Sequence, residues 1–306
     1  MWKERIMRVF VTGATGFIGS AVVRDLLDAG HQVTGLARSD SSAAALAAAG
    51  ADVHRGSLAD LDSLRSGAAA SDGVIHTAYI HDFSENNDAA SYARTDGNAI
   101  EAIGEVLAGS GRPLVVASGM PAPVPGHVTT EEDAAPENPA YPRVSERAAL
   151  AFAGRGVRAS VLRMPPTVHG EGDHGFVPAL IGIARARGLA AYVGDGANRW
   201  SAVHRLDAAR LFRLAVESAP AGTRLNAVGD EGVPFLDIAE VIGKHLDVPV
   251  TGLSPEQAPG HFGLFAVFAS IDVPASSART RKQFGWQPVH PGLIADLDEG
   301  HYFKDA

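Results

Sequence analysis

Three glycines stand at a spacing that suits contact with a phosphate group. Gly13, Gly16 and Gly19 form GxxGxxG in VFVTGATGFIGSAVV, between an apolar run and an amphipathic one. A diphosphate must approach the backbone closely, and side chains at these positions would stand in its way. The first N–H groups of the following helix, at the positive end of its dipole, then face the anion. Strand, glycine turn and helix in that order point to a dinucleotide site. An ATP-type phosphate loop is excluded, because no Gly-Lys-Ser/Thr follows the glycines. Arg38 and Ser39 close the next apolar run, where a carboxylate would bind a ribose diol. A guanidinium and a hydroxyl there suit a 2′-phosphate. In the competing reading Arg38 is merely solvated and Asp40 serves the ribose. A third set is HGEGDH at 169–174, with His204 further on. Histidines and carboxylates at short spacing can hold zinc. The glycines between them suit a mobile polar loop better than a fixed ligand set, so no metal is expected. His204 reads as structural, with Asp207 capping the helix that follows.

The elements that must position these residues alternate. Residues 8–12, 32–37, 52–55, 73–77, 113–118 and 158–163 read as strands. Helices are expected at 18–29, with Gly30 as its stop, and at 43–49, 89–107 and 144–153. This rhythm predicts an α/β fold, a Rossmann-type doubly wound parallel sheet covered on both faces. After Arg163 the prolines and glycines between 165 and 178 break the rhythm, and a smaller C-terminal substrate-binding lobe is expected from there. The nucleotide-binding domain is drawn as 7–164 plus about 203–228, and the lobe as about 165–202 and 229–290. Helices at 206–217 and 235–246, a strand at 224–228 and a short helix at 277–284 complete the reading. Trp200 and Trp286 read as packing residues.

With 306 residues, 46% of them hydrophobic, the chain can bury a full core. A net charge of −9 and no basic cluster argue against nucleic acid and anionic membranes as partners. No apolar run is long enough to span a bilayer. The absence of cysteine excludes a disulfide framework and predicts a cytoplasmic protein. MWKERIMRVF at the N-terminus has no apolar core of a signal peptide.

Several segments together resemble one family. TGATGFIG, 12–19, is similar to the fingerprint of the extended and atypical short-chain dehydrogenases/reductases, the NAD(P)-dependent epimerase/dehydratase-like group. GSLADLDSL, 56–64, resembles the family's adenine-pocket segment, with Ser57 where the family usually has Asp. HTAY, 76–79, resembles the segment that holds the cofactor's ribose and diphosphate. Ser118 in VVASG stands where the family keeps its catalytic serine. RMPPTVHGEGD, 163–173, and YVGDGANRWSAVHRLDAARL, 192–211, resemble two further family segments. The resemblance implies a nicotinamide cofactor held by Gly13, Thr15, Gly16, Phe17, Ile18, Gly19, Ser57, Leu58, Thr77, Ala78, Tyr79, Pro165 and Val168. Arg38 and Ser39 join that set on their own chemistry, and NADP(H) is expected, with NAD(H) as the alternative. It also implies a homodimer through the helices after strands four and five.

The family's reductases pair a tyrosine that protonates the carbonyl oxygen with a lysine four residues on. Here Tyr141 is followed by Ser145, and the only lysines are Lys3, Lys244, Lys282 and Lys304. If Glu146 matches the family's helix glutamate, Asn138 and Pro142 fall at the tyrosine and lysine positions instead. In one reading Tyr141 is the donor, with Arg143 or a water supplying positive potential. In the other it packs or caps, and Tyr79, His81, His169 or His204 donates. Ser118 and Tyr141 are the expected catalytic residues. The expected function is reduction of a ketone, aldehyde or imine of a hydrophobic small molecule by NADPH. The pocket is expected from 79–85, 119–125 and 165–180. The alternatives are a sugar-nucleotide epimerase or dehydratase, and a regulator that binds NADP(H) without turnover.

Overall fold

Strand β1 (Arg8–Thr12) is buried along four of its five residues, as a central strand covered on both faces must be. It runs into the glycine turn and α1 (Phe17–Asp28), whose Val22, Val23 and Leu26 face inward. Then follow β2 (Gln32–Ala37), α2 (Asp40–Ala49), β3 (Asp52–Arg55), α3 (Leu61–Ala69), β4 (Gly73–His76), α4 (Ala89–Leu107), β5 (Pro113–Gly119), α5 (Ser145–Leu150) and β6 (Arg158–Met164). Next come β7 (Thr167–His169), α6 (Phe176–Arg187), β8 (Ala190–Val193), β9 (Arg199–His204), α7 (Arg205–Ser218), β10 (Thr223–Asn226) and β11 (Asp230–Pro234). The chain continues with α8 (Phe235–Leu246), β12 (Val250–Leu253), α9 (Ala258–Phe262), α10 (Ala266–Ser270), α11 (Ala278–Phe284) and α12 (Leu293–Asp298). This computed structural model describes residues 6–80, 88–134 and 143–304.

The chain forms two compact units. The first holds the described parts of Met1–Gly119 and Ala135–Arg163, together with Ala208–Leu225. Its seven-stranded sheet has the order β10-β6-β5-β4-β1-β2-β3, and β5, β4, β1, β2 and β3 pair in parallel. The order reverses between β1 and β4, the switch point at which open α/β sheets take ligands outside the carboxyl ends of their strands. Phe10, Ile100, Ile103 and Phe152 anchor its core. The expected α/β class and doubly wound sheet are therefore present.

The second unit comprises Met120–Ala134, Met164–Asp207 and the described part of Asn226–Ala306. It has a mixed three-stranded sheet, β11-β9-β7, and a parallel pair, β12-β8. Trp200, packed edge-on against Phe235, is completely buried in its core, and so is Trp286. Two features differ from the sequence expectation. Residues 120–134 group with this unit, because Thr129 N–H donates to the Pro274 carbonyl at 3.0 Å and Glu131 accepts from the N–H and hydroxyl of Thr280. The segment read as broken by Pro178 is helix α6. Pro178 falls in its first turn, where the missing N–H has no intrahelical partner to lose. Among the described residues no helix is long and apolar enough to cross a membrane.

Candidate cofactor site and active site

The glycine turn of the first unit is built for close approach. Gly13 has φ of +67°, and Gly16 N–H closes the turn on the Gly13 carbonyl at 2.9 Å. A Cβ on Gly13 would lie 2.7 Å from Ala78 N and 2.8 Å from Thr77 Oγ1, and one on Gly19 would run into the Gly13 carbonyl. The turn is thus pressed against the continuation of β4, where Thr77 Oγ1 donates to the Thr12 carbonyl at 2.8 Å. No side chain caps the N-terminus of α1. Its first N–H groups and dipole face the cradle at the switch point, which fits the diphosphate of a dinucleotide. Thr15 is exposed beside it, while Phe17 and Ile18 open the helix half-buried.

The neighbouring strand ends carry the residues expected on the adenosine side. Arg38 is exposed at the end of β2, with no partner among the described residues. Ser39 caps α2 by accepting from Ser42 N–H at 3.1 Å, and its Oγ lies 2.9 Å from Ser41 Oγ and 3.0 Å from Ser42 Oγ. Helix α2 therefore begins three residues earlier than expected. Asp40, the alternative ribose ligand, pairs with Arg55 at 2.6 Å. Ser57 and Leu58 follow β3 half-buried, and Gly56 N–H donates to the Ala37 carbonyl at 3.1 Å, which brings them beside the end of β2.

Beyond β4 and β5 the expected site is joined by groups that sequence reasoning missed. Ser118 is buried near the end of β5, and no partner bonds its hydroxyl among the described residues. The Arg143 guanidinium lies over the Tyr79 ring, 4.3 Å from its centre. A Cβ on Gly119 would lie 3.3 Å from Arg143 Nη1. A buried polar chain runs beneath: Thr12 Oγ1 lies 2.9 Å from His76 Nδ1, His76 Nε2 lies 3.1 Å from Asp96 Oδ1, and Ser145 Oγ donates to Asp96 Oδ2 at 2.6 Å. Glu146 is buried and held by Arg163 at 2.8 Å and Arg224 at 2.7 Å. Burial alone would raise its carboxyl, but the two guanidiniums overcome this and hold it below the ordinary range. Tyr141, Asn138, Pro142 and His81 lie outside the described residues.

Pro165 and Val168 belong to the second unit, Pro165 buried ahead of β7 and Val168 paired with Val203 across to β9. The expected mobile loop 170–174 is tied there: Tyr302 hydroxyl accepts from Gly170 N–H at 2.9 Å and donates to Asp173 at 3.2 Å. Burial pushes the Asp173 carboxyl up, and burial with the nearby Asp173 charge raises Tyr302. His169 is fully buried, bonded through Nδ1 to Asp296 at 2.8 Å. His204 stands edge-on to His169 and stacks on His290. Burial, together with those two imidazoles, pushes His204 down to about 4. Donor atoms of His204, Asp207 and His290 lie within 4.8 Å of one another. The Asp207 carboxylate is already engaged by the N–H groups of Val289 and His290 and by His290 Nδ1, each at 3.0 Å. It fastens the 289–290 loop rather than capping α7, because it is the third residue of that helix.

A model of the family described as "NAD dependent epimerase/dehydratase family" matches residues 9–227. The chain is 51% identical over 299 residues to the uncharacterized protein C2A9.02 of Schizosaccharomyces pombe, covering 97% of this chain and 100% of that one. It is 26% identical to a UDP-glucose 4-epimerase of Streptomyces lividans, covering 96% of each chain. It is 31% identical to a 2-alkyl-3-oxoalkanoate reductase of Stenotrophomonas maltophilia, over 71% of this chain and 67% of that one. Among solved structures, DesIV, a dTDP-glucose 4,6-dehydratase from Streptomyces venezuelae with NAD and TYD bound, superposes with a TM-score of 0.75 at 20% identity over 97% of each chain. At that identity it speaks for the fold alone. With the family model spanning most of the glycine-turn unit, the chain belongs to the NAD dependent epimerase/dehydratase family, in the extended branch of the short-chain dehydrogenases/reductases.

Proposed function

We propose that the protein is an NADPH-dependent reductase of a carbonyl or imine group on a hydrophobic small molecule. One observation carries the direction of the chemistry. The position four residues after Tyr141 holds Ser145, buried and bonded to Asp96, and the nearby cation is an arginine. Epimerases and dehydratases of this type must first take a proton from a substrate hydroxyl, which calls for the tyrosine–lysine pair that this chain lacks. Reduction asks only that the oxygen be polarised and then protonated. When bound, the reduced nicotinamide supplies a hydride to the carbonyl carbon; the oxygen takes one proton and the cofactor leaves oxidised.

Arg38 beside the Ser39–Ser42 hydroxyls supports NADPH over NADH, since a dianionic 2′-phosphate needs a cation and donors there. Met120, Pro121, Pro123 and Val124, and the 31% identity to a 2-alkyl-3-oxoalkanoate reductase, support an apolar substrate. The cysteine-free composition supports a cytoplasmic location. A homodimer through α4 and α5 is proposed on their shared outer groove of about 550 Å³, bordered by Ala93, Gly97, Val144 and Phe152.

The test is NADPH oxidation followed against hydrophobic ketones, β-keto acids, aldehydes and imines, with NADH in parallel. Turnover with NADPH on one of these classes is expected. NADPH binding with no turnover of any of them gives the lead to the regulator reading. Interconversion of sugar nucleotides would overturn both.

A further inference from the structure

Arg143 is a cation without a carboxylate partner among the described residues, although it is only half exposed. Its guanidinium is clamped. One face rests on the Tyr79 ring at 4.3 Å, and Nη1 lies 3.3 Å from where a Cβ at Gly119 would stand. Nε points toward Ser145 Oγ in a long contact of 3.5 Å, and that hydroxyl is fixed in turn by Asp96. The clamp lies between the carboxyl end of β5 and the continuation of β4. β4 borders the switch point, where the crevice rule puts the ligand. A permanent cation stacked on an aromatic face, with no carboxylate partner among the described residues, is poised for a ligand's negative charge.

We propose that Arg143 is the oxygen-binding cation of the active site, donating hydrogen bonds to the substrate oxygen as it gains negative charge. This takes over the electrostatic part of a role for which the chain has no lysine. The inference rests on the reductase reading for its substrate, but not for its test. A guanidinium polarises without surrendering a proton, so Arg143 binds and stabilises the oxygen while another group protonates it. Gly119 belongs to the same design, because a Cβ there would crowd Nη1 at 3.3 Å and the guanidinium would have to give by a few tenths of an ångström. Tyr79 acts as the platform, a positioning residue.

A carboxylate is a stable stand-in for the charged oxygen. The NADP⁺ complex of the full chain would be titrated calorimetrically with a series of aliphatic carboxylates, for the wild type, Arg143→Gln and Arg143→Lys. Carboxylate binding is expected in the wild type, about ten-fold or more weaker in Arg143→Gln and between the two in Arg143→Lys, which keeps the charge but not the stacked fork. The NADPH dissociation constant should be the same in all three, since the diphosphate is held by the glycine turn. Equal carboxylate binding in the wild type and Arg143→Gln, or none in either, overturns the assignment. Where a reducible substrate is found, Arg143→Gln should lower kcat more than it raises KM. Absence of turnover in the wild type, with carboxylate binding still dependent on Arg143, would sink the reductase reading and leave this assignment standing.

Discussion

Arg38 and Asp40 stand two residues apart and are put to different uses. Asp40 is engaged by Arg55, whereas Arg38 is exposed at the mouth of the site. Arg38→Ala should therefore weaken NADPH binding by about ten-fold or more, the size of one charge-assisted contact, and leave NADH binding unchanged. Fluorescence titration with both cofactors checks this. His204 makes a prediction about acid. Its folded value is lowered to about 4, below the ordinary value near 6.5 of an unfolded chain. Above pH 6.5 both states are neutral there and His204 adds no pH dependence. Between pH 6.5 and 4 the unfolded chain binds the proton and the folded one does not, so stability falls as pH falls. His204→Asn can keep an acceptor for Leu206 N–H and should flatten that slope in urea midpoints taken at pH 7 and pH 5. At this scale the glycines and Arg38 could be read directly, because their meaning is local. The Thr12–His76–Asp96–Ser145 chain could not. Its links join positions 64, 20 and 49 residues apart, and no periodicity encodes such meetings.

Among the elements, α1 depends on a residue that it cannot exchange. Gly19 faces the Gly13 carbonyl and Thr77, so Gly19→Ala has to move the helix away from the turn. NADPH affinity should drop by about ten-fold or more, read in the same titration, with the melting temperature also lowered. Helix α5 is short, and its anchor is Glu146 between Arg163 and Arg224. Glu146→Gln removes the carboxylate charge that two guanidiniums share, one of them Arg163, which is 0% exposed. The cost should be about 3–5 kcal/mol, measurable as a denaturant midpoint shift. Helices with one apolar face, such as α1 with its glycine stop and α8, were legible in the sequence. Helix α6 was not, since Pro178 reads as a breaker until its place in the first turn is known. The α5 region ends short of the expected 153, giving way to a 3₁₀ turn at Ala153–Arg155.

The whole molecule is two units with separate cores, and the chain passes from one to the other more than once. The alternating half of the sequence announced the first unit. The second was harder to read, because its mixed sheet joins β7, β9 and β11 across long intervals and its helices are short. The proposed dimer is tested at this scale too. Sedimentation of the purified chain should give twice the 31.7 kDa of one copy, and Gly97→Arg in the α4–α5 groove should halve it. Trp200 and Trp286, both with 0% exposure, belong to the second unit, and the first has no tryptophan among its described residues. With Trp2 replaced by Phe, intrinsic emission is a one-sided optical reporter: its red shift during unfolding dates the loss of the C-terminal unit. NADPH at 100 times its dissociation constant adds about 2.7 kcal/mol to whatever binds it. A cofactor-induced delay in that red shift would mean that the two cores melt as one cooperative body. An unmoved red shift, alongside a delayed far-ultraviolet transition, would mean that the lobe can come apart while the nucleotide stays bound.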